Sequence, residues 1–137
     1  MDKKYALAPC SGLSPYGLIT RAASNDTVQE RDDLISICMG ATSADKEGFK
    51  ELIKKYPIIA INGCEGACVD KILKQKGVMV SKAINAKKVL KSADLKPTDP
   101  IRLDVNGEKC VLVIKKKIDE LLDKWIKKSA YLEYYIV

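Results

Sequence analysis

Five cysteines and no histidine set the limits on what this chain of 137 residues can do chemically. Without histidine there is no Ser-His-Asp or Cys-His catalysis, and no imidazole ligand for a metal. Any transition-metal site built wholly by the chain must rest mainly on sulfur. Cys64 and Cys68 stand four residues apart, just after an apolar run that breaks at Asn62-Gly63. That spacing at a helix start can direct two side chains toward one centre. Backbone N–H groups at such a start favour thiolates over thiols.

Other thiol chemistries lack their residues. A phosphatase loop of the Cys-x₅-Arg type needs Arg six places after the cysteine, where this chain has Tyr16, Ala44 and Asp70. There is no Cys-x-x-Cys, no Gly-x₄-Gly-Lys-Ser/Thr and no Gly-x-Gly-x-x-Gly, so redox and nucleotide motifs are missing. The loop Pro9-Cys10-Ser11-Gly12 has the composition of an anion cradle, a common feature of low specificity.

The elements that must hold these cysteines follow from hydropathy patterning. Short apolar segments at residues 5–9, 34–37, 57–61 and 78–80 read as buried strands. Helical patterns lie between them: a short one over residues 18–23 interrupted by the polar stretch 24–33, one opened by Ser43 with Phe49, Leu52 and Ile53 at helical spacing, and one over residues 66–76. Pro57 stops the second, and Gly77 ends the third as a C′ residue. Asn85 is a cap for a short helix through Val89 and Leu90, and residues 101–105 are ambiguous between extended and irregular. Residues 107–129 carry a long apolar stripe of Leu112, Val113, Ile118, Leu121, Leu122, Trp125 and Ile126 over lysine-rich flanks.

Alternating strands and helices predict an α/β fold, a small Rossmann-like parallel sheet of about four strands with helices on both faces, in the order 2-1-3-4, plus a long C-terminal helix. One domain over residues 1–137 suits this length. In such a sheet Cys10, Cys38 and Cys64 each follow a strand and share its carboxyl edge, where ligands bind, and Cys68 turns back toward it. Four thiolates from separate loops suit tetrahedral zinc, and they suit an iron–sulfur cluster equally. The bland alternative is that these are small buried hydrophobes. Cys110, on the apolar side of the long helix, reads as packing.

The formal charge is +6, but the lysines are scattered and Arg is confined to Arg21, Arg31 and Arg102. No aromatic or Arg-rich platform accompanies them, so nucleic acid is not expected as a partner. No apolar run approaches the roughly 20 residues of a membrane span. The apolar segment at residues 5–10 is short for a signal peptide, so a cytoplasmic location is expected, and five cysteines there point to metal or redox chemistry over disulfides. The apolar tail, residues 131–137, is expected to pack on the body or meet a subunit or protein partner together with the basic C-terminal helix.

Taken jointly, Pro9-Cys10-Ser11-Gly12, Cys38-x-Gly40, Asn62-Gly63-Cys64 and Cys68 resemble the DGC-domain family, named for an Asp-Gly-Cys motif and four cysteines. The resemblance covers about residues 5–92, including Lys71-Ile72-Leu73 and Gly77-Val78. It implies zinc binding, with Cys10, Cys38, Cys64 and Cys68 as ligands, and no settled activity. Asn62 stands where the motif has Asp, so an acidic partner or proton acceptor at that position is lost. The site is then structural or serves metal handling, since a closed four-sulfur site leaves no open coordination position. The competing reading is thiol redox or sulfur-transfer chemistry at Cys10 and the Cys64/Cys68 pair.

Overall fold

The computed structural model describes residues 4–136, and side chains over residues 4–129. Four strands, β1 (Tyr5–Pro9), β2 (Leu34–Ser36), β3 (Ile58–Asn62) and β4 (Lys82–Asn85), form one sheet in the order β2-β1-β3-β4, with every pairing parallel. This is the expected order. Alternation along β1 and β3 sends side chains to two cores. Tyr5, Leu7, Ile59 and Ile61 face α1 (Pro15–Glu30), α5 (Ala86–Ser92) and α6 (Val105–Ile136). Ala6, Ala8, Ile58 and Ala60 face α2 (Met39–Ser43), α3 (Phe49–Lys55) and α4 (Cys68–Gln75). The small alanines on the second face let these short helices approach the sheet closely.

Several boundaries differ from the sequence-based expectation, each for a local reason. The helix expected over residues 18–23, with at most a further turn in the polar stretch 24–33, runs unbroken from Pro15 to Glu30. Thr20, Ser24 and Thr27 are fully buried on it, and Thr27 Oγ1 donates to the Ala23 carbonyl at 2.7 Å. The Thr20 and Thr27 hydroxyls bond back into the helix and so can face a neighbour, whereas Ser24 Oγ is buried without a partner. Ser14 caps this helix by accepting from Gly17 N–H at 3.2 Å, and Pro15 occupies its first turn.

The fourth strand lies at residues 82–85 and not at 78–80. Val78 is instead consumed by the end of α4, where its N–H donates to the Leu73 carbonyl at 2.9 Å and Gly77 N–H to Lys74 at 3.0 Å. Gly77 has φ +76°, which completes a Schellman cap of the kind expected there. The Ser43 helix resolves into two, with Cys38 and not Ser43 at the first cap and Gly48 at the second. The α4 helix begins at Cys68, two residues later than residue 66, after Ala67 in the left-handed region at φ 48°, ψ 45°.

Asn85 caps α5, accepting from Lys88 N–H at 3.1 Å, as its position suggested. Asp104 opens α6 by accepting from Gly107 N–H at 2.7 Å, so this helix starts at Val105 and continues to Ile136, beyond 107–129 at both ends. Its buried stripe is Cys110, Val111, Ile114, Ile118 and Leu122, whereas Leu112 is exposed. The residues beyond 129, on which tail packing was expected, lie outside the described side chains. Among the described residues no helix is long and apolar enough to cross a membrane.

Candidate thiolate centre at the carboxyl edge

The connection after β1 runs to one face of the sheet through α1, and that after β3 runs to the other through α4. The sheet order therefore reverses between β1 and β3, and a crevice opens outside their carboxyl ends. Cys10 follows β1 directly, and Cys64 lies two residues beyond β3. The two cysteines flank that crevice. Cys38 follows β2 as the cap of α2, and Cys68 is the first residue of α4.

Each loop is braced by named contacts. Cys10 N–H donates to the Ile61 carbonyl at 2.9 Å, and Thr20 Oγ1 donates to the Cys10 carbonyl at 2.6 Å. Gly12 N–H donates to Cys10 Sγ at 3.5 Å. Gly17 lets this loop lie on the first turn of α1: a Cβ there would stand 2.8 Å from Gly12 C and 2.9 Å from Gly12 N. Cys38 Sγ accepts from Ala41 N–H at 3.5 Å, which satisfies a helix-end donor that a Ser or Asp usually takes. Asn85 Nδ2 donates to the Cys64 carbonyl at 3.3 Å.

The sulfurs converge on glycines. A Cβ on Gly63 would be 3.3 Å from Cys10 Sγ, and one on Gly66 would be 3.6 Å from Cys64 Sγ and 3.7 Å from Cys68 Sγ. The Cys64/Cys68 pair is thus brought to one point by the turn at residues 64–67, not by a shared helical face. Ala67 in the left-handed region closes that turn, a conformation that costs a non-glycine residue about 1 kcal/mol or more and tends to persist at functional sites.

All five cysteines are free thiols, with Cys38 and Cys68 exposed, Cys10 and Cys64 partly covered, and Cys110 buried. Among the described residues, no three cysteine or carboxylate side chains are gathered closely enough to hold a metal ion. The donor set fits a thiophilic metal in its chemistry, and ligation by all four requires the loops bearing Cys10 and Cys38 to close on the Cys64/Cys68 turn. Cys110 is wholly buried in the α6 core, and that burial pushes its thiol up from the ordinary value.

The position of the motif's Asp is informative. Asn62 is 4% exposed, on the α4 side of β3 by its alternation with Ala60, and its Oδ1 has no hydrogen-bond donor. Asp70 Oδ1, in the first turn of α4, is likewise buried without a donor. Buried acceptors are rarely left this way, and an ordered water or another donor at this edge would satisfy them.

Two features were not legible in the sequence. Thr20 braces the Cys10 loop from ten residues away, and no spacing rule anticipates that. Lys87 sits beside Cys64: it pairs with Glu65 at 3.0 Å and lies 6.0 Å from the centre of the Tyr16 ring. The Glu65 hydrogen bond holds the Lys87 ammonium above its ordinary value, with smaller contributions from Tyr16 and Cys64. The sign that could have found Lys87 is its place two residues after the β4 end, on the same sheet edge as the cysteines.

No curated protein and no solved structure matches the chain significantly. The family described as DGC domain matches residues 6–101, from β1 through the loop after α5. That span covers well over half of the 137 residues, and the chain belongs to the DGC-domain family.

Proposed function

We propose that the protein binds zinc through Cys10, Cys38, Cys64 and Cys68, in a structural or metal-handling role. The observation that carries this reading is that Cys10, Cys38 and Cys64 follow three parallel strands at one sheet edge and Cys68 opens the helix after the third, with Cys10 and Cys64 flanking the crevice between β1 and β3. Four sulfur donors and no imidazole select a soft or borderline cation, for which tetrahedral zinc is the commonest case. A [4Fe–4S] or [2Fe–2S] cluster is compatible with the same donors. Two sulfurs with exposed residues and two partly covered make the metal accessible to exchange, which favours handling over a purely structural role.

A second reading is supported by the open arrangement of the thiols. Cys64 and Cys68 approach one point at Gly66 without a third ligand group beside them, as a dithiol that forms and breaks a disulfide would.

Thiol titration separates the two. On the metal reading, one equivalent of zinc protects four thiols from an aromatic disulfide reagent, and a chelator restores their reactivity. On the dithiol reading, zinc leaves the reactive count unchanged, and mild oxidant removes two thiols reversibly.

A further inference from the structure

Beside the thiol edge, on the other side of Tyr16, a cavity of about 300 Å³ is lined by Tyr16, Lys87, Lys91, Asp94, Leu95 and Lys96. We propose that this cavity binds a small organic anion, a phosphate or carboxylate joined to an apolar or aromatic group. The inference is independent of metal binding, because no cysteine lines the cavity.

Three observations point to that class of ligand. The first is charge. Three lysines line the cavity against the single carboxylate of Asp94, and Glu65 beyond it pairs with Lys87 at 3.0 Å, which leaves an excess of positive charge. Lys87 and Lys91 are four apart on α5, so they share one face of the helix. Lys87 already pairs with Glu65, so Lys91 and Lys96 are the cations that an anion here would chiefly meet.

The second observation is size. The cavity lies at the lower end of the range typical of small-molecule sites, roughly 300–1,000 Å³, and exceeds what a bare phosphate fills. The third is the character of its walls. The Tyr16 ring and the Leu95 side chain supply apolar surface next to the lysines. An aromatic group can stack on the Tyr16 ring while its anionic end meets Lys87, Lys91 and Lys96.

The position adds a functional consequence. Tyr16 Cβ lies 3.3 Å from where a Gly63 Cβ would stand, and Cys10 Sγ is equally close to that point. Glu65, the neighbour of Cys64, holds Lys87. An anion in the cavity therefore sits one residue layer from the thiol edge.

The test is a titration of the reduced full chain, in the presence of chelator, with phenyl phosphate, followed by backbone amide NMR shifts. Inorganic phosphate serves as the second probe. Saturable shifts centred on Tyr16, Lys91 and Leu95 are expected, with phenyl phosphate binding about tenfold tighter than inorganic phosphate because of its ring. The double variant Lys91→Gln/Lys96→Gln, which removes two exposed charges, should melt like the parent and weaken phenyl phosphate by about tenfold. The remote double variant Lys46→Gln/Lys50→Gln, at two exposed lysines that do not line the cavity, should bind as the parent does. Absence of saturable shifts at these residues overturns the proposal, and so does an equal loss of binding in the two double variants.

Discussion

Gly17→Ala tests how the Cys10 loop is held. A methyl there would stand 2.8 and 2.9 Å from backbone atoms of Gly12, and its carbonyl oxygen is closer still. Ordinary carbon contacts begin near 3.5 Å, so the loop must retreat by about 1 Å or the helix must absorb the strain. Retreat loosens the 2.6 Å bond from Thr20 to Cys10 and the Ser14 cap, each worth about 1 kcal/mol. Holding position instead overpacks the contact, at about 1–3 kcal/mol. Against either stands a helix-propensity gain of about 1 kcal/mol for Gly→Ala. The net is a loss of about 1 kcal/mol, a fall in Tm of about 4 °C for a chain of this size. Gly40→Ala is the contrast: the nearest atom to its Cβ is Cys38 Sγ at 4.0 Å, so the same substitution in α2 should leave Tm unchanged or raise it. Thermal unfolding by circular dichroism reads both, and faster alkylation of Cys10 in Gly17→Ala reports the displaced loop. A Gly17→Ala protein that melts at or above the parent temperature refutes the reasoning.

Arg31 ties the start of β2 to α6, with Nε and Nη2 each 2.9 Å from Asp33 and Nη1 reaching Asp119 at 3.2 Å and Asp123 at 3.1 Å. The Arg31 hydrogen bond holds the Asp33 carboxyl below its ordinary value of 3.8, so this contribution is fully present above that pH and is lost as pH falls through the lower folded value. Arg31→Gln should therefore cost about 1 kcal/mol near neutrality, and urea unfolding should show its gap to the parent closing in acid below about pH 4. Gly77→Ala should cost about 1 kcal/mol by calorimetry, because its φ of +76° strains any side chain although no atom crowds the site. Cys110→Ala should cost on the order of 1 kcal/mol and leave bound metal unchanged. In the native, metal-free protein a thiol reagent should count four reactive cysteines, the fifth appearing only on unfolding, since Cys110 is wholly buried.

The sheet and its thiol edge were legible because they rest on local rules. Runs such as Ile58-Ile59-Ala60-Ile61 can only be buried strands in a chain of this size, and Pro57 and Asn62-Gly63 mark their ends. Cysteines that recur after each run then fall on one edge by topology alone. The misread elements depend on partners distant in sequence. The second half of α1 is polar in composition, and Ser24 and Thr27 are nonetheless buried on it where α1 packs against α6. Val78 and Val80 are apolar for the sake of the α4 cap and the core beneath it, a demand that imitates a strand pattern. The lysine-lined cavity was hidden for the same reason: Tyr16 and Lys96 are brought together only by the packing of α1 and α5.

Zinc content of single Cys→Ser variants, prepared under reducing conditions without oxygen and measured by elemental analysis, tests the central claim most directly. The parent and Cys110→Ala should hold about one zinc per chain, as one tetrahedral four-sulfur site requires. Cys10→Ser, Cys38→Ser, Cys64→Ser and Cys68→Ser should each lose most of it, with the Cys64 and Cys68 variants worst because those residues share the turn that leads into α4. A parent that binds no zinc, or a Cys10→Ser or Cys38→Ser variant that retains it in full, contradicts the four-thiolate site.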